Sequence, residues 1–212
     1  PGTIMELRAK EFGLIYCNKP PYEVLATKWL HHGQLSALYA FCECVETFYN
    51  NRFFRSLWHY LLQTDKEPYT FFQQLFALCR RHNFFDLART HKLMNQMLVE
   101  LAKEYQDGEV LLELLRYDWL RCGYRNLPDY LEQTAQPELR NRLRQELPQS
   151  MDGIFSSGSR INFLKKATFL ELSAKAMHLL HLGDTGPALL AFVPEQSSGV
   201  MKFNQVILLS IE

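Results

Sequence analysis

Across residues 27–147 apolar side chains recur every three or four positions, and that period leaves a multi-helix domain as the structure to be built. Leu35, Leu38, Tyr39, Cys42, Val45, Phe48 and Tyr49 place one stripe on a first helix, with Asn50-Asn51 as its stop. A second, short helix carries Phe53, Phe54, Leu57, Trp58 and Leu61. Pro68 suits the first turn of a third, where its missing N–H is not needed. That helix presents Phe71, Phe72, Leu75, Phe76 and Cys79, and Arg80-Arg81-His82 complements the dipole at its end. A fourth, the longest of the set, is expected over about 86–105, with Leu93, Met94, Met97, Leu98 and Leu101 inward and Asp107-Gly108 ending it. A fifth covers 110–121 and stops near Cys122-Gly123. Two shorter pieces follow at 128–133 and 137–147, each with Pro near its start.

After Pro148 the character changes. Asp152-Gly153 and Ser156-Ser157-Gly158-Ser159 form a small-residue linker. Beyond it the runs 188–193 and 206–209 are short, apolar and bounded by Pro, Gly and Ser, which favours strands. The stretch 167–172 is a weaker strand candidate, and 175–182 fits either a helix or a strand. The expected fold is mainly α, a multi-helix domain with a small antiparallel β-sheet in the C-terminal third, an α+β class. The expected organisation is an arm and linker over 1–26, a helical domain over 27–148 and a small β-containing subdomain over 149–212. No internal repeat is visible.

Balanced charge narrows the partners. With 23 basic and 23 acidic residues in 212, the chain lacks the electrostatic footprint of a general nucleic-acid binder, although a small local basic face is compatible with it. Neither a bilayer-spanning run nor a charged segment followed by a short apolar one is present, so a cytoplasmic protein is expected. Five scattered cysteines, Cys17, Cys42, Cys44, Cys79 and Cys122, read as reduced thiols.

The candidate chemistry is thin. Cys42 and Cys44, two apart on a helix, point roughly 200° from one another and cannot chelate one ion; Cys42 falls on the apolar stripe and reads as a buried small residue. Cys79 with His82, and His178 with His181, share helix faces, but each offers two donors where a structural metal site needs four. His31-His32 precedes a helix start and reads as a capping or surface pair. Met94, Met97, Phe71, Phe72 and Phe76 have the spacing of plain core. At 13% aromatic content, some of Tyr39, Tyr49, Trp58, Tyr60, Tyr117 and Trp119 are expected with their polar tips at a surface or interface. Arg140, Arg142 and Arg144 read as a solvated face in which Glu138 pairs with Arg142 and Glu146 sits close by. No phosphate loop, nucleophile elbow, His-Glu-x-x-His or Cys-x-x-x-Cys-x-x-Cys occurs, so no catalytic, cofactor-binding or metal-binding residue is assigned.

The N-terminal residues carry a resemblance. Pro1-Gly2-Thr3-Ile4-Met5, then Gly13-Leu14-Ile15-Tyr16, then Pro20-Pro21-Tyr22-Glu23-Val24-Leu25-Ala26-Thr27 resemble the end of the barrel in cobalamin-binding radical S-adenosylmethionine (SAM) proteins. Residues 111–120 and Phe163-Leu164-Lys165-Lys166-Ala167 are similar to the domain of unknown function that follows this barrel in one branch of that family. Its members are described as Fe–S oxidoreductases or as like the anaerobic magnesium-protoporphyrin monomethyl ester cyclase. The Pro-Pro-Tyr-Glu-Val-Leu element is the most specific part of the likeness.

The resemblance implies an accessory C-terminal domain that packs on the upstream barrel and shapes substrate access, within a methyltransferase- or cyclase-like enzyme using SAM, a [4Fe–4S] cluster and cobalamin. The start without Met, with a Pro-Gly-Thr turn running straight into a helical stretch, fits the same expectation. The chain by itself is expected to hold no cofactor and to be colourless, because its five cysteines supply no closely spaced trio of thiolates for such a cluster. Leu7, Phe12, Leu14 and Ile15 of the arm are expected to pack on the helical domain or to pair with a second copy as a homodimer. A helical scaffold binding a protein partner through its aromatic faces is the alternative.

Overall fold

A computed structural model of the chain describes residues 3–64, 67–131, 136–151, 155, 159–183, 186–195 and 203–209. Its contacts divide the molecule into two units, one ending at Asn50 and the other beginning at Asn51.

The first unit begins with two single-turn helices, α1 (Ile4–Leu7) and α2 (Ala9–Phe12). Thr3 caps α1 by accepting from the Glu6 N–H. Gly13 ends α2 in the left-handed conformation, φ 56°, and a Cβ there would lie 3.1 Å from the Lys28 side chain. Lys28 closes on this turn: its N–H donates to Phe12 O at 3.0 Å, and its ammonium sits 4.4 Å from the Trp29 ring centroid. Strands β1 (Ile15–Tyr16) and β2 (Val24–Ala26) pair antiparallel, so the Pro-Pro-Tyr-Glu-Val-Leu element forms the turn and second arm of a hairpin. Helix α3 (His32–Tyr49) follows. His31 and Gln34 cap it reciprocally, each side chain accepting from the other's N–H, and His32 Nδ1 lies 3.3 Å from Leu25 O. The capping role expected of the histidine pair is present.

The buried face of α3 differs from the stripe drawn from spacing. Cys44 and Phe48 are buried, while Cys42, Leu38, Tyr39 and Tyr49 are exposed. Apolar residues run most of the way around this helix, so more than one stripe satisfies the period. Spacing cannot choose among them.

In the second unit, α4 (Arg55–Gln63), α5 (Pro68–Arg81), α6 (His91–Ala102) and α7 (Gly108–Arg121) form a helical layer in which α4 packs on α7, α5 on α6 and α6 on α7. Trp58 stacks on Phe72 with centroids 5.3 Å apart and meets Phe71 edge-on at 5.8 Å. Pro68 occupies the first turn of α5, as expected.

Two boundaries moved. The long helix expected over about 86–105 is instead a 3-10 turn (Phe84–Asp86) followed by α6, because Thr90 accepts from the Leu93 N–H and caps a fresh helix start; α3 is the longest helix described. Gly108 begins α7 rather than ending its predecessor. It is required by close approach, since a Cβ would stand 2.6 Å from the Ala102 carbonyl oxygen. Of the piece expected at 128–133, the described residues 128–131 form a turn closed by Leu131 N–H to Pro128 O at 2.8 Å. The linker residues Asp152-Gly153 and Ser156-Ser157-Gly158, like Pro1-Gly2, lie outside the described residues.

Helices α8 (Gln136–Glu146), α9 (Arg160–Lys166) and α10 (Ala174–Leu179) accompany an antiparallel sheet of β3 (Thr168–Leu172), β4 (Ala188–Pro194) and β5 (Asn204–Leu209), in the order β3-β4-β5. The α+β class is therefore realised, with the larger sheet in the C-terminal third; the ambiguous stretch at 175–182 is helix as far as Leu179 and turn beyond it, and α9 carries no sequence expectation.

Both faces of the sheet are covered, which is why β4 reads as an unbroken apolar run rather than an alternation. Phe169, Leu189, Ala191 and Val193 meet Leu139, Leu143, Phe163 and Leu164 of α8 and α9. Leu170, Leu172, Leu190 and Phe192 meet Trp119, Leu120 and Met177 of α7 and α10. The free edge of β3 is closed by one amide: Gln136 Nε2 donates to Phe169 O at 2.8 Å while its Oε1 accepts from Phe169 N–H at 3.2 Å. Asn204 of β5 donates to Leu120 O at 2.7 Å, satisfying a carbonyl at the end of α7.

Candidate functional site

Three places in the molecule hold chemistry worth weighing. The first is a buried polar centre in the second unit. Helix α4 opens at Phe54, which has no side chain able to cap it. Asp118, fully buried on α7, does so from a distance: its carboxylate accepts from Ser56 N–H at 2.9 Å and Ser56 Oγ at 3.0 Å, and Arg121 Nε lies 3.4 Å away. Arg121 also donates to the carbonyls of Arg52 and Phe53. Burial raises the Asp118 carboxyl to about 6, against the pull of Arg121 and Ser56. Neighbouring Cys122 is pushed up to about 11 by burial and is an inert thiol at neutral pH.

One turn into the layer, His91 is packed among rings, 4.3 Å from Phe53 and 4.8 Å from Trp119 between centroids, with Tyr124 at 5.2 Å. Neither ring nitrogen has a hydrogen-bond partner, and neither does the amide of Asn95, four residues on along the same face. Burial, then the charge of Arg121, lowers His91 to about 4, so the imidazole is neutral. Asp118 meets Ser56 and Arg121, and neither His91 nitrogen has a hydrogen-bond partner, so His91 and Asp118 are not hydrogen-bonded to one another. The centre holds helices together.

The second place is a groove between α8 and α9 lined by Arg140, Arg144, Arg160 and Lys165. The solvated face expected here holds for Arg142, although its partners are Glu146 at 3.6 Å and Glu171 at 3.2 Å rather than Glu138. Arg140 and Arg144 turn toward the groove instead. The third place is the surface of the first unit, where Ile4, Leu7, Ile15, Val24, Trp29 and Tyr39 are exposed; a cleft of about 370 Å³ there is lined by Met5, Leu14, Tyr16 and Tyr22 among others.

The metal-ligand pairs weighed from sequence are not assembled. Cys79 is fully buried, His82 Nε2 faces Glu100 at 2.9 Å, and His181 Nε2 lies 2.9 Å from the Gln63 amide. Among the described residues no group of three or more His, Cys, Asp or Glu could hold a metal ion, and no helix is long and apolar enough to cross a membrane. Met94, Met97, Phe71 and Phe72 are core, and Phe76 is part-buried. Of the aromatics expected at a surface, Tyr39 and Tyr49 are exposed, while Tyr60 donates to Asp107 at 2.8 Å and Trp119 to Asn126 O at 2.9 Å.

Sequence reasoning passed over His91, Asn95 and Asp118. For Asp118 a signal existed, since a carboxylate beside Trp119-Leu120 with Arg121 three residues on is out of place in an apolar helix. His91 carries no such signal, because it falls inside the run expected as one helix over about 86–105 rather than at the helix start it occupies.

No curated protein and no solved structure matches the chain. A family model described as "Protein of unknown function (DUF4080)" matches residues 10–169, well over half of the chain. The matched span takes in the buried polar centre and the four cations of the groove. The chain is a member of the DUF4080 family, whose function is unknown.

Proposed function

We propose that this chain is the accessory C-terminal domain of a cytoplasmic, cobalamin-dependent radical-SAM enzyme. It docks on the upstream barrel of the same polypeptide and shapes substrate access, and it is not catalytic alone. SAM, the [4Fe–4S] cluster and cobalamin belong to the barrel and its partner domain. The observation that carries the reading is the surface of the first unit. Most of the exposed large apolar side chains among the described residues lie there, many of them on α1, Trp29 and the hairpin built from the Pro-Pro-Tyr-Glu-Val-Leu element that resembles the barrel-to-domain linker. An apolar surface of that kind favours a covering partner. The family match over 10–169 takes in the Pro-Pro-Tyr-Glu-Val-Leu element and agrees with a domain of unknown function.

The decisive test is the reading frame upstream of Pro1. An in-frame barrel with Cys-x-x-x-Cys-x-x-Cys is expected, and a frame lacking it removes the proposal. In the second arm, barrel and chain are expressed as separate polypeptides and should co-purify, with Leu7→Ser/Trp29→Ser weakening the pair. The exposed Tyr39, Tyr49 and Tyr69 favour the rival reading, an interaction scaffold. That reading gains if Tyr39→Ser abolishes partner capture while Leu7→Ser/Trp29→Ser does not.

A further inference from the structure

A net charge of zero over the chain conceals one place where cations gather without counter-charges. Helix α8 buries Leu139 and Leu143, and α9 buries Phe163 and Leu164, in one shared core. The flanks next to those residues border a groove of about 520 Å³. Arg140 and Arg144, one helical turn apart, line it from α8; Arg160 and Lys165 line it from α9, with Ile161 and Leu164 as its apolar part. Among the described residues none of the four cations meets a carboxylate, whereas Arg142, on the neighbouring flank of α8, meets two.

Two of the guanidiniums are held in place. Arg140 Nη2 donates to Ala167 O at 3.0 Å and Arg160 Nη1 to Leu147 O at 2.8 Å. Each keeps further N–H groups, and Arg140 Nε is buried with no acceptor. Like charges one turn apart on a helix repel, so Arg140 and Arg144 weaken α8 until a counter-charge arrives. A single carboxylate would answer one of four positive charges. Planar guanidinium forks match phosphate oxygens in pairs, and a chain of phosphates brings enough charge for all four. The volume is that of a small-molecule site, within the ~300–1,000 Å³ such sites occupy.

We propose that the groove between α8 and α9 binds a small, multiply charged phosphate-bearing anion, a diphosphate or larger, with Arg140, Arg144, Arg160 and Lys165 on its phosphates and Ile161 and Leu164 against its organic part. The proposal does not depend on the radical-SAM reading.

Pyrophosphate and ATP are titrated calorimetrically into the full chain at about 0.15 M salt, where loose surface attraction is screened. Saturable one-to-one binding of pyrophosphate is expected. Arg144→Gln/Lys165→Gln should weaken it by about tenfold or more, the loss of two charge-assisted contacts. Neither of those side chains hydrogen-bonds to a described residue, so the variant should keep the parent circular dichroism and melting curve. Arg142→Gln, outside the groove, should leave binding unchanged. Absence of saturation by both probes overturns the proposal, as does binding that the double variant leaves intact or that Arg142→Gln reduces equally. Vesicles of phosphatidylserine and phosphatidylcholine are the companion arm; capture by vesicles without pyrophosphate binding assigns the groove to a lipid surface and also overturns it.

Discussion

Up to Asn50 the buried side chains among the described residues are Cys44 and Phe48 of α3, while Ile4, Leu7, Ile15, Val24 and Trp29 stand in solvent; beyond it, helices and a doubly covered sheet bury most of the large apolar residues, and the polar Asp118 and His91 with them. The first unit is held by local devices: a Thr cap, a left-handed Gly13, a short hairpin and a His–Gln capping box. The second is held by connections far apart in sequence, such as Ser56 to Asp118, Gln136 to Phe169 and Asn204 to Leu120. Local devices fix a shape with little stored burial, whereas long-range ones make a segment's stability depend on the whole unit.

The contrast can be broken most severely at Asp118. Asp118→Ala leaves the Ser56 N–H and hydroxyl at the start of α4 without an acceptor in the core, while Arg121 keeps the Arg52 and Phe53 carbonyls, and should cost about 3 kcal/mol or more in urea unfolding, with about 1–3 kcal/mol for each buried donor left unsatisfied. A loss below about 1 kcal/mol would mean that water replaces the carboxylate and that the distant cap is dispensable.

Gly108→Ala comes next. A methyl placed 2.6 Å from the Ala102 carbonyl must push backbone, and a cost of about 1–3 kcal/mol is expected in the same assay. An unchanged midpoint would show that the α6–α7 turn yields.

The pH dependence sharpens the comparison, because two buried groups titrate with opposite sign. His91 sits at about 4 in the fold against 6.5 ordinarily, so between those values the unfolded chain holds a proton the folded one lacks, and this contribution to stability rises with pH. Asp118 sits at about 6 against 3.8, so across much of the same window the folded chain holds the extra proton and this contribution falls as pH rises. The parent should therefore be nearly flat there. His91→Gln should lose stability on going from pH 4 to 6, and Asp118→Asn should gain it from pH 4 to 6.5. Urea midpoints across that range decide it, and parallel slopes in the two variants would refute the assignment.

The smallest effects belong to the first unit. Removing residues 1–26 should leave helix content and cooperative melting largely intact while weakening any self-association, read by circular dichroism and analytical ultracentrifugation. Leu7→Ser should change stability by less than about 0.5 kcal/mol, as expected for an exposed side chain. Loss of cooperative folding on truncation would make the arm part of the core.

Helix content was legible because three of the helices advertise an end in the local chain: Asn50 after α3, Pro68 opening α5, and Cys122-Gly123 after α7. Strands β4 and β5 were legible from short apolar runs. Where reading failed, the deciding partner was remote or ambiguous. Gly108 looks like a helix stop until the Ala102 carbonyl above it is seen. Thr90 restarts a helix inside an apolar run that has the right period throughout. Of the basic segment, the spacing gave Arg142 a carboxylate one turn away, but Glu171, which also holds it, arrives from β3.

By itself the sequence determined the class of the fold, some of the caps, most element positions and membership of a family, because period, capping and turn chemistry act over a few residues. Only the tertiary structure decided which side of α3 is buried, how one carboxylate caps a helix 62 residues away, and which arginines line a groove rather than meet a glutamate. Burial and electrostatics are summed over every neighbour in space, and a linear chain specifies those neighbours only once it has folded.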